Sequence, residues 1–451
     1  MSAYSNWGAA LAAFIVEQIS GQDYATFERD HVLLPSNMQN TLNQPDWFGN
    51  ETFLANKAIG YLSDGVGGFQ AGMWTYIPIY PTGAINGTAE DLAAFLIALT
   101  PPAGESGPLF SDANTLGTLF TPSSLDLVYS PGTHHGFLQY PGVLPAFGHG
   151  GGTAAFLTDF VLVPEARFGF VLLTNSTGGM GLISAIGDLL LGSPPAPVAG
   201  SNLPNAQAVE GHFFSTRRYA GNFLEFFPYA GLSNISMIQI RALDENRIQL
   251  LFGPLGSAVY VQTEPYVFHR YDTSDTAFAS SFPHQLRVQM EDGVPQQIHV
   301  DNGNGFTALP AGRTMPFLIA SLVIAALSAA FFLIVPVILL IAFLIRRKKQ
   351  ERGTRFNRFH TGFLLSGTLL VLNQSVIAAH FGLNPFRSAS ELAPYIWMNY
   401  VFAGLAAFLF AGAIWSWRTG ETKRKVLFVI TVVFVALLTV LLHNWNFFAL
   451  L

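Results

Sequence analysis

The distribution of hydrophobic and polar residues divides the chain into two parts. Up to about residue 313, short apolar segments are interrupted by glycine and proline, whereas the remainder consists mainly of long apolar runs without interior charges. Four such runs lie near 316–345, 362–383, 395–417 and 426–442. Because roughly 20 apolar residues in a helix cross a bilayer, the pattern predicts four transmembrane helices in a membrane domain at 315–451.

Polar residues occur within two of these runs. Asn373, Gln374 and His380 lie in the second run and Asn399 lies in the third. Such residues more often form hydrogen bonds between helices than a transport path. We therefore expect them to join neighbouring spans.

The charges in the connecting loops predict the orientation in the membrane. The loop 346–360 carries seven Arg or Lys residues and one Glu, and the loop 418–425 carries four and one. The loop 384–394 has one Arg and one Glu. Since short basic loops remain in the cytoplasm, we expect a multi-pass protein of the cell membrane whose residues 1–313 are extracytoplasmic.

Helical periodicity recurs in the globular part. An amphipathic pattern at 7–19 predicts a helix that ends at Gly21, a residue type suited to a C-cap. A second amphipathic helix is expected to follow and to close on a turn that contains Pro35. A third helix is expected after Thr88, with Asp91 as its acidic capping partner.

Alternating patterns predict strands further along the chain. The segments "GHGGG", "DFVLVPE" and "FGFVLLTNS" indicate three adjacent strands, and glycines inside a strand usually mark close approach by a ligand or another backbone. Residues 205–312 contain short alternating runs separated by turn residues, which predict an antiparallel meander or small barrel. We find no catalytic constellation there and expect a packing or substrate-gating module. His134 and His135 are interpreted as an exposed loop, with a metal site as the alternative.

Composition removes several classes of function. The chain contains no cysteine, which excludes disulfides, thiolate nucleophiles and Cys-ligated zinc. The net charge of -6 gives no reason to propose nucleic acid as a partner.

Four segments, taken in order, resemble one enzyme family. They are Tyr4-Ser5-Asn6 before a helix, "LLPSNMQNT", "PTGAINGTAEDLAAF" and "GHGGGTAAF". Together they are similar to the serine hydrolases related to class C β-lactamases, penicillin-binding DD-peptidases and their esterase relatives. The resemblance implies an α+β fold in which residues 1–200 form a partial β-lactamase/transpeptidase-like domain, an antiparallel sheet flanked by helices. The segment "YAGNF" resembles the opening strand of the lipocalin-like β-domains attached to such enzymes.

The resemblance also implies roles for individual residues. Tyr4 is expected to be the acid/base and Asn6 to position the substrate, while His149 and Gly151 form the strand motif. The backbone N–H of Gly152 is expected to donate to an oxyanion. The implied substrate is a peptide, ester or lactam, and the family implies no cofactor and no metal. The oligomeric state is left open.

The nucleophile departs from the family pattern. The family uses a Ser-x-x-Lys pair, but the globular part has a single lysine, Lys57, and Leu54 stands three positions before it. The resemblance places that pair well before Tyr-x-Asn, so we expect a chain that lacks its first catalytic segment, and with it an export signal and activity. We also expect apolar surface to be exposed where that segment belongs.

Other interpretations remain open at this point. The chain is either such a hydrolase, a pseudoenzyme that binds cell-wall peptides or similar ligands and signals through the membrane, or a membrane scaffold. Tyr4 and Asn6 are alternatively turn residues at a helix start, and His149 is alternatively a structural histidine. His149 also stands where true β-lactamases have lysine, and a neutral histidine is a weaker carboxylate anchor.

Overall fold

The computed structural model describes residues 3–449, apart from 45, 48, 65, 123–131, 193, 219–220, 227–236, 254–255, 274–281, 302, 348–352 and 384–388. The chain forms two compact units. One comprises Met1–Arg217 and Met237–Ala308, and the other comprises Arg218–Ser236 and Leu309–Leu451. The fold is α+β as predicted, with an antiparallel sheet flanked by helices, an antiparallel barrel and long apolar helices.

A five-stranded antiparallel sheet is the centre of the first domain. Its strands follow the chain order: β5 (Thr133–His134), β6 (Phe137–Tyr140), β7 (Ala146–Gly152), β8 (Leu157–Val163) and β9 (Phe168–Thr174). The three strands predicted from alternation are therefore confirmed as β7, β8 and β9. Four short strands form two further pairs: β1 (Leu42–Asn43) with β4 (Ile85–Asn86), and β2 (Tyr61–Ser63) with β3 (Phe69–Ala71).

The described part of the first unit also contains six α-helices: α1 (Asn6–Ser20), α2 (Tyr24–Glu28), α3 (Glu51–Asn56), α4 (Ala89–Leu99), α5 (Ala113–Thr118) and α6 (Met180–Leu191). Paired residues of neighbouring strands share a face. Phe147 and Leu162 are paired and pack with Leu96 of α4 on one face. Val161 packs with Leu191 of α6 on the other. The predicted sheet flanked by helices is thus confirmed.

Helix α1 ends as predicted but leaves apolar side chains on the surface. Gly21 has φ +70° and its N–H bonds to the Glu17 carbonyl, so it is a left-handed C-cap. Trp7, Phe14 and Ile19 are 68%, 52% and 82% exposed. The apolar face of this helix therefore lacks a full covering among the described residues.

The second predicted helix is divided in the structure. Helix α2 continues as a π-helical turn at Arg29–Leu33, where the Leu34 N–H bonds to the Arg29 carbonyl. Pro35 follows, and proline cannot continue the α-helical hydrogen-bond ladder. The wider turn therefore ends the helix in place of a regular last turn.

Helix α4 begins directly after its N-cap, Thr88, as predicted, but the Asp91 side chain does not cap the helix. Thr88 Oγ1 accepts the Asp91 N–H. The Asp91 carboxylate instead accepts from the Asn40 N–H at 2.6 Å and the Thr41 hydroxyl at 2.8 Å. Because Asp91 is buried and its carboxylate needs donors, it joins the β1 region to α4 rather than returning to the cap.

Eight strands close into an antiparallel barrel: β10 (Gly211–Ser215), β11 (Met237–Ala242), β12 (Arg247–Leu251), β13 (Ser257–Glu264), β14 (Val267–Thr273), β15 (Gln285–Glu291), β16 (Val294–Val300) and β17 (Gly305–Ala308). The ends meet where β10 pairs with β17, with Phe213 opposite Ala308. Closure removes exposed sheet edges. Of the two predicted alternatives, meander or barrel, the structure is the barrel.

In the described part of the chain, four helices are long and apolar enough to cross a membrane: α7 (Met315–Arg347), α8 (Arg355–Leu383), α9 (Ala389–Trp415) and α10 (Thr422–Asn444). The predicted spans are confirmed as helices of suitable length. Asn399 Oδ1 accepts from Asn373 at 2.8 Å and from Gln374 at 2.6 Å, and the ring of His380 lies 4.8 Å from that of Tyr395. The predicted polar contacts between spans are therefore present.

Short 3-10 segments connect these elements. They lie at Tyr80–Thr82, Pro164–Ala166, Thr177–Gly179, Ala206–Val209, Phe223–Glu225, Ala311–Arg313 and Trp417–Thr419. Within the second unit, the Nε of the half-buried Arg313 lies 3.2 Å from Glu225 Oε1. This ion pair joins the segment before β11 to the start of the membrane helices.

Candidate active site

The tripeptide that resembles the family motif stands at the start of α1. Ser5 is the N-cap residue, and its Oγ accepts the Gly8 N–H at 3.0 Å. Asn6 is the first helical residue, and both Tyr4 and Asn6 are half-buried. The serine hydroxyl is therefore occupied in capping, while Tyr4 and Asn6 occupy the turn on either side of it.

Tyr4 lies beside His149, although the two residues are far apart in the sequence. Their ring centroids are 5.9 Å apart and their planes are inclined by 40°. His149 Nδ1 lies 2.6 Å from the Gly150 carbonyl oxygen. A carbonyl only accepts, so this contact assigns the proton to Nδ1 and leaves Nε2 as the acceptor of the neutral ring.

The glycines after His149, residues 150–152, leave the backbone of β7 exposed and unpaired with β6 among the described residues. The register with β6 ends at Gly148, and residues 149–152 pair with β8 in the part of the chain that the structure describes. A Cβ on Gly151 would have Thr158 Cβ as its nearest neighbour at 3.8 Å, whereas one on Gly148 would collide with the Phe160 carbonyl oxygen. Packing thus requires glycine at 148 but not at 151, where the exposed backbone is accessible to a ligand.

A charged group, Arg217, also lies near Tyr4. Arg217 follows the end of β10, and its guanidinium carbon lies 5.1 Å from the Tyr4 ring centroid. The sequence interpretation missed it, since the barrel segment carries no catalytic pattern. The only local signal is its position directly before Arg218 and "YAGNF", and no spacing rule relates that position to Tyr4.

Comparison with known families agrees with this geometry. Residues 1–188 match the family described as Beta-lactamase. Residues 1–188 form a β-lactamase-family domain. The resemblance predicted from the four sequence segments is confirmed for this part of the chain.

Three solved structures are similar to parts of this chain. "Crystal structure of SurE" is 16% identical with a TM-score of 0.44, covering 68% of this chain and 68% of its own. The octameric penicillin-binding protein homologue from Pyrococcus abyssi is 19% identical with a TM-score of 0.35, covering 67% and 64%. The D-alanine carboxypeptidase AmpC from Burkholderia cenocepacia is 19% identical with a TM-score of 0.31, covering 39% and 56%. The chain thus spans less than two thirds of the last two. No curated protein sequence matches this chain.

A half-buried pair, Tyr140 and Asp159, lies on the opposite face of the β-lactamase-family sheet. Asp159 is paired with Gly150, and the Tyr140 hydroxyl donates to its Oδ1 at 2.5 Å. Burial raises the pKa of Asp159, and burial together with the Asp159 charge raises that of Tyr140. The pair therefore fixes β8 against β6 beneath the open glycines.

Two other residues singled out in the sequence have structural positions. His134 is 5% exposed on β5 and packs against Phe147 with ring centroids 4.8 Å apart, so the expectation of an exposed loop was wrong for this residue. Burial lowers the pKa of His134. Lys57 Nζ lies 4.7 Å from the Trp74 ring centroid, a cation–π contact. Among the described residues no group of three or more His, Asp or Glu side chains is arranged to hold a metal ion.

Proposed function

We propose that the β-lactamase-family domain binds an acyl substrate (a peptide, ester or lactam) in a groove beside Tyr4 and the open end of β7, outside the cell membrane. The observation that supports this is the 5.9 Å approach of the Tyr4 and His149 rings. This approach brings the Tyr4 phenol and the imidazole acceptor of His149 to strand β7. Among the described residues, no side chain covers the backbone of β7 at Gly151. Such a cluster is suited to positioning a carbonyl compound and relaying a proton.

The proposed roles follow from the atoms present. The Tyr4 hydroxyl would exchange a proton with the reacting group, and the Asn6 amide would hold the substrate amide. His149 Nε2 would accept a hydrogen bond from the ligand, since Nδ1 is directed to the Gly150 carbonyl. The N–H of Gly152 would donate to the substrate carbonyl oxygen as negative charge develops on it.

The proposed site is anchored by α7–α10 in the lipid bilayer. The basic loops at 346–360 and 418–425 support a cytoplasmic position for both. The same rule places the β-lactamase-family domain and the barrel outside. The substrates available to this site are then extracytoplasmic acyl compounds.

For these 451 residues we make separate predictions for ligand binding and for acylation of a serine. Ser-x-x-Lys does not occur in them, so we expect binding without a covalent adduct. Incubation of the purified chain in detergent with a penicillin or a fluorophosphonate, followed by mass spectrometry, should show no added mass. A stoichiometric adduct on Ser5 or any other serine would show that these residues include a nucleophile and act as a hydrolase.

The binding itself is tested by calorimetry with N-acetyl-D-Ala-D-Ala. Removing one ligand hydrogen bond lowers affinity by about tenfold, so Tyr4→Phe and His149→Ala should each do so. Tyr271→Phe, which alters an exposed tyrosine on β14, is the matched control and should bind like the wild type. Equal affinity in all four proteins would exclude the proposed groove.

A further inference from the structure

A cavity lies between two of the membrane-capable helices, where α8 begins and α9 ends. Its volume is about 420 Å³, and it is lined by Arg355, Arg358 and Phe359 of α8 and by Leu409 and Trp415 of α9. Residues three positions apart lie on the same face of a helix, so Arg355 and Arg358 face the cavity together. A cavity of this size can hold a small organic group.

Close packing of α8 against α9 forms the apolar end of the cavity. A Cβ on Gly412 would collide with the Phe359 ring, and one on Gly362 would lie 3.0 Å from the Leu409 side chain. These two glycines therefore allow Phe359 and Leu409 to lie close to the neighbouring helix. Leu409 precedes Trp415 by about 9 Å along the helix axis, so the apolar end lies deeper in the span than the arginines.

The other end of the cavity is positively charged. The guanidinium carbon of Arg355 lies 6.0 Å from the Trp415 ring centroid, and the Arg358 side chain is exposed. Among the described residues, no ion pair with an acidic side chain is found for either arginine. A guanidinium can bind a phosphate through two parallel N–H groups. The charge here is therefore suited to a ligand with a net negative group.

The arrangement of the two ends indicates what kind of anion fits. A free inorganic phosphate would contact the arginines and leave the apolar end unfilled. A phospholipid carries its phosphate above its acyl chains, so it matches both ends, and tryptophan is typical of the headgroup level of a bilayer. The orientation proposed above puts this cavity at the cytoplasmic face, where anionic lipids attract basic segments.

We propose that the cavity between α8 and α9 binds one anionic phospholipid. Arg355 and Arg358 hold the phosphate, and one acyl chain lies against Phe359 and Leu409. This inference rests on the membrane anchoring in the proposed function and is independent of the acyl-substrate groove. It gives the membrane helices a specific ligand of their own.

General attraction between basic loops and a negative membrane surface predicts a different result. In that case, removal of any two cations on the same side weakens lipid binding to the same extent. Arg418 and Lys423 lie in the loop 418–425, are exposed and do not line the cavity. The double variant Arg418→Gln/Lys423→Gln is therefore the matched control for Arg355→Gln/Arg358→Gln.

The experiment is native mass spectrometry of the full chain in detergent, titrated with phosphatidylglycerol or with phosphatidylcholine of the same acyl chains. The wild type should bind one phosphatidylglycerol about tenfold more tightly, the factor expected for one charge-assisted hydrogen bond. Arg355→Gln/Arg358→Gln should lose this preference, and the control variant should keep it. Millimolar inorganic phosphate should not displace the bound lipid, because it cannot replace the acyl contacts.

Four outcomes would overturn the inference. Equal affinity of the wild type for the two lipids would show that the cavity does not select an anionic headgroup. Equal losses in the two double variants would assign the effect to general surface charge, and displacement by inorganic phosphate would indicate a site for free anions. A wild type that does not incorporate into lipid nanodiscs would refute the membrane anchoring as well, whereas incorporation without lipid preference refutes this inference alone.

Discussion

At the residue scale, the barrel contains an acid and a base whose pKa values are displaced in opposite directions. Asp301 Oδ2 accepts the backbone N–H groups of His284 and Gln285 at 2.9 and 3.1 Å. Burial raises the pKa of Asp301 to about 6. Burial, with the neighbouring Arg270 charge, lowers that of His284 to about 3. The folded barrel therefore favours the neutral form of both groups.

The signs of these two effects on stability are opposite. Asp301 binds its proton more tightly in the folded state, so its contribution is present below about pH 4 and is lost as the pH rises towards 6. His284 loses its proton more readily in the folded state, so its contribution is present above about pH 6.5 and is lost as the pH falls towards 3. Between about pH 4 and 6 the two contributions compensate each other.

Single substitutions should expose each contribution. Relative to the wild type, Asp301→Asn should gain stability as the pH rises from 4 to 6, and His284→Gln should gain it as the pH falls from 6.5 to 4. One unit of pKa displacement corresponds to about 1.4 kcal/mol. Urea unfolding of the full chain in detergent measures the stability of both variants. The unfolding is monitored by hydrogen exchange of the barrel strands, and the exchange is corrected for its intrinsic rates at each pH. Parallel pH profiles for the two variants and the wild type would contradict the assignment.

At the element scale, two glycines of β7 have different roles. A Cβ on Gly148 collides with the Phe160 carbonyl oxygen, whereas one on Gly151 meets nothing closer than 3.8 Å. Overpacking a core typically lowers the free energy of unfolding by about 1–3 kcal/mol, so Gly148→Ala should do so. Gly151→Ala should change stability by less than about 0.5 kcal/mol.

Although Gly151→Ala should leave stability almost unchanged, it should have a clear effect on ligand binding. Its added methyl group points to the face of β7 that carries His149, so Gly151→Ala should weaken N-acetyl-D-Ala-D-Ala binding without unfolding the domain. Thermal unfolding and calorimetry on the same preparations make the comparison. A Gly151→Ala protein that is strongly destabilised, or that binds like the wild type, would show that the open strand is not a ligand surface.

At the scale of the whole molecule, the absence of cysteine from the chain makes the proposed orientation directly testable. Glu245 in the barrel and Glu421 in the loop 418–425 are both exposed, so each accepts a single cysteine without disturbing packing. In intact cells, a membrane-impermeant maleimide should label Glu245→Cys and leave Glu421→Cys unlabelled until the cells are permeabilised. The reverse pattern would invert the proposed topology, and the cysteine-free wild type is the background control.

Local chemistry allowed much of this protein to be predicted from its sequence. Apolar length is sufficient to identify four membrane-capable helices, because each helix satisfies its own backbone hydrogen bonds. The C-cap at Gly21 and the N-cap at Thr88 follow from neighbouring residues alone. The order of four motifs indicates the β-lactamase family, and that resemblance is enough to single out Tyr4 and His149 as candidate site residues.

The remaining features depend on contacts between distant segments. Periodicity shows that a strand has a buried face but not which strand it pairs with. The pairing of β10 with β17, which closes the barrel, was therefore visible only in the tertiary structure. The burial of His134 on β5 depended on packing against Phe147, which local sequence does not report. The approach of Arg217 to Tyr4 was set by the turn after β10 and by where the folded barrel places it. Sequence determined which elements and chemical groups exist, and tertiary structure decided which of them meet, because a local pattern carries no information about distant partners.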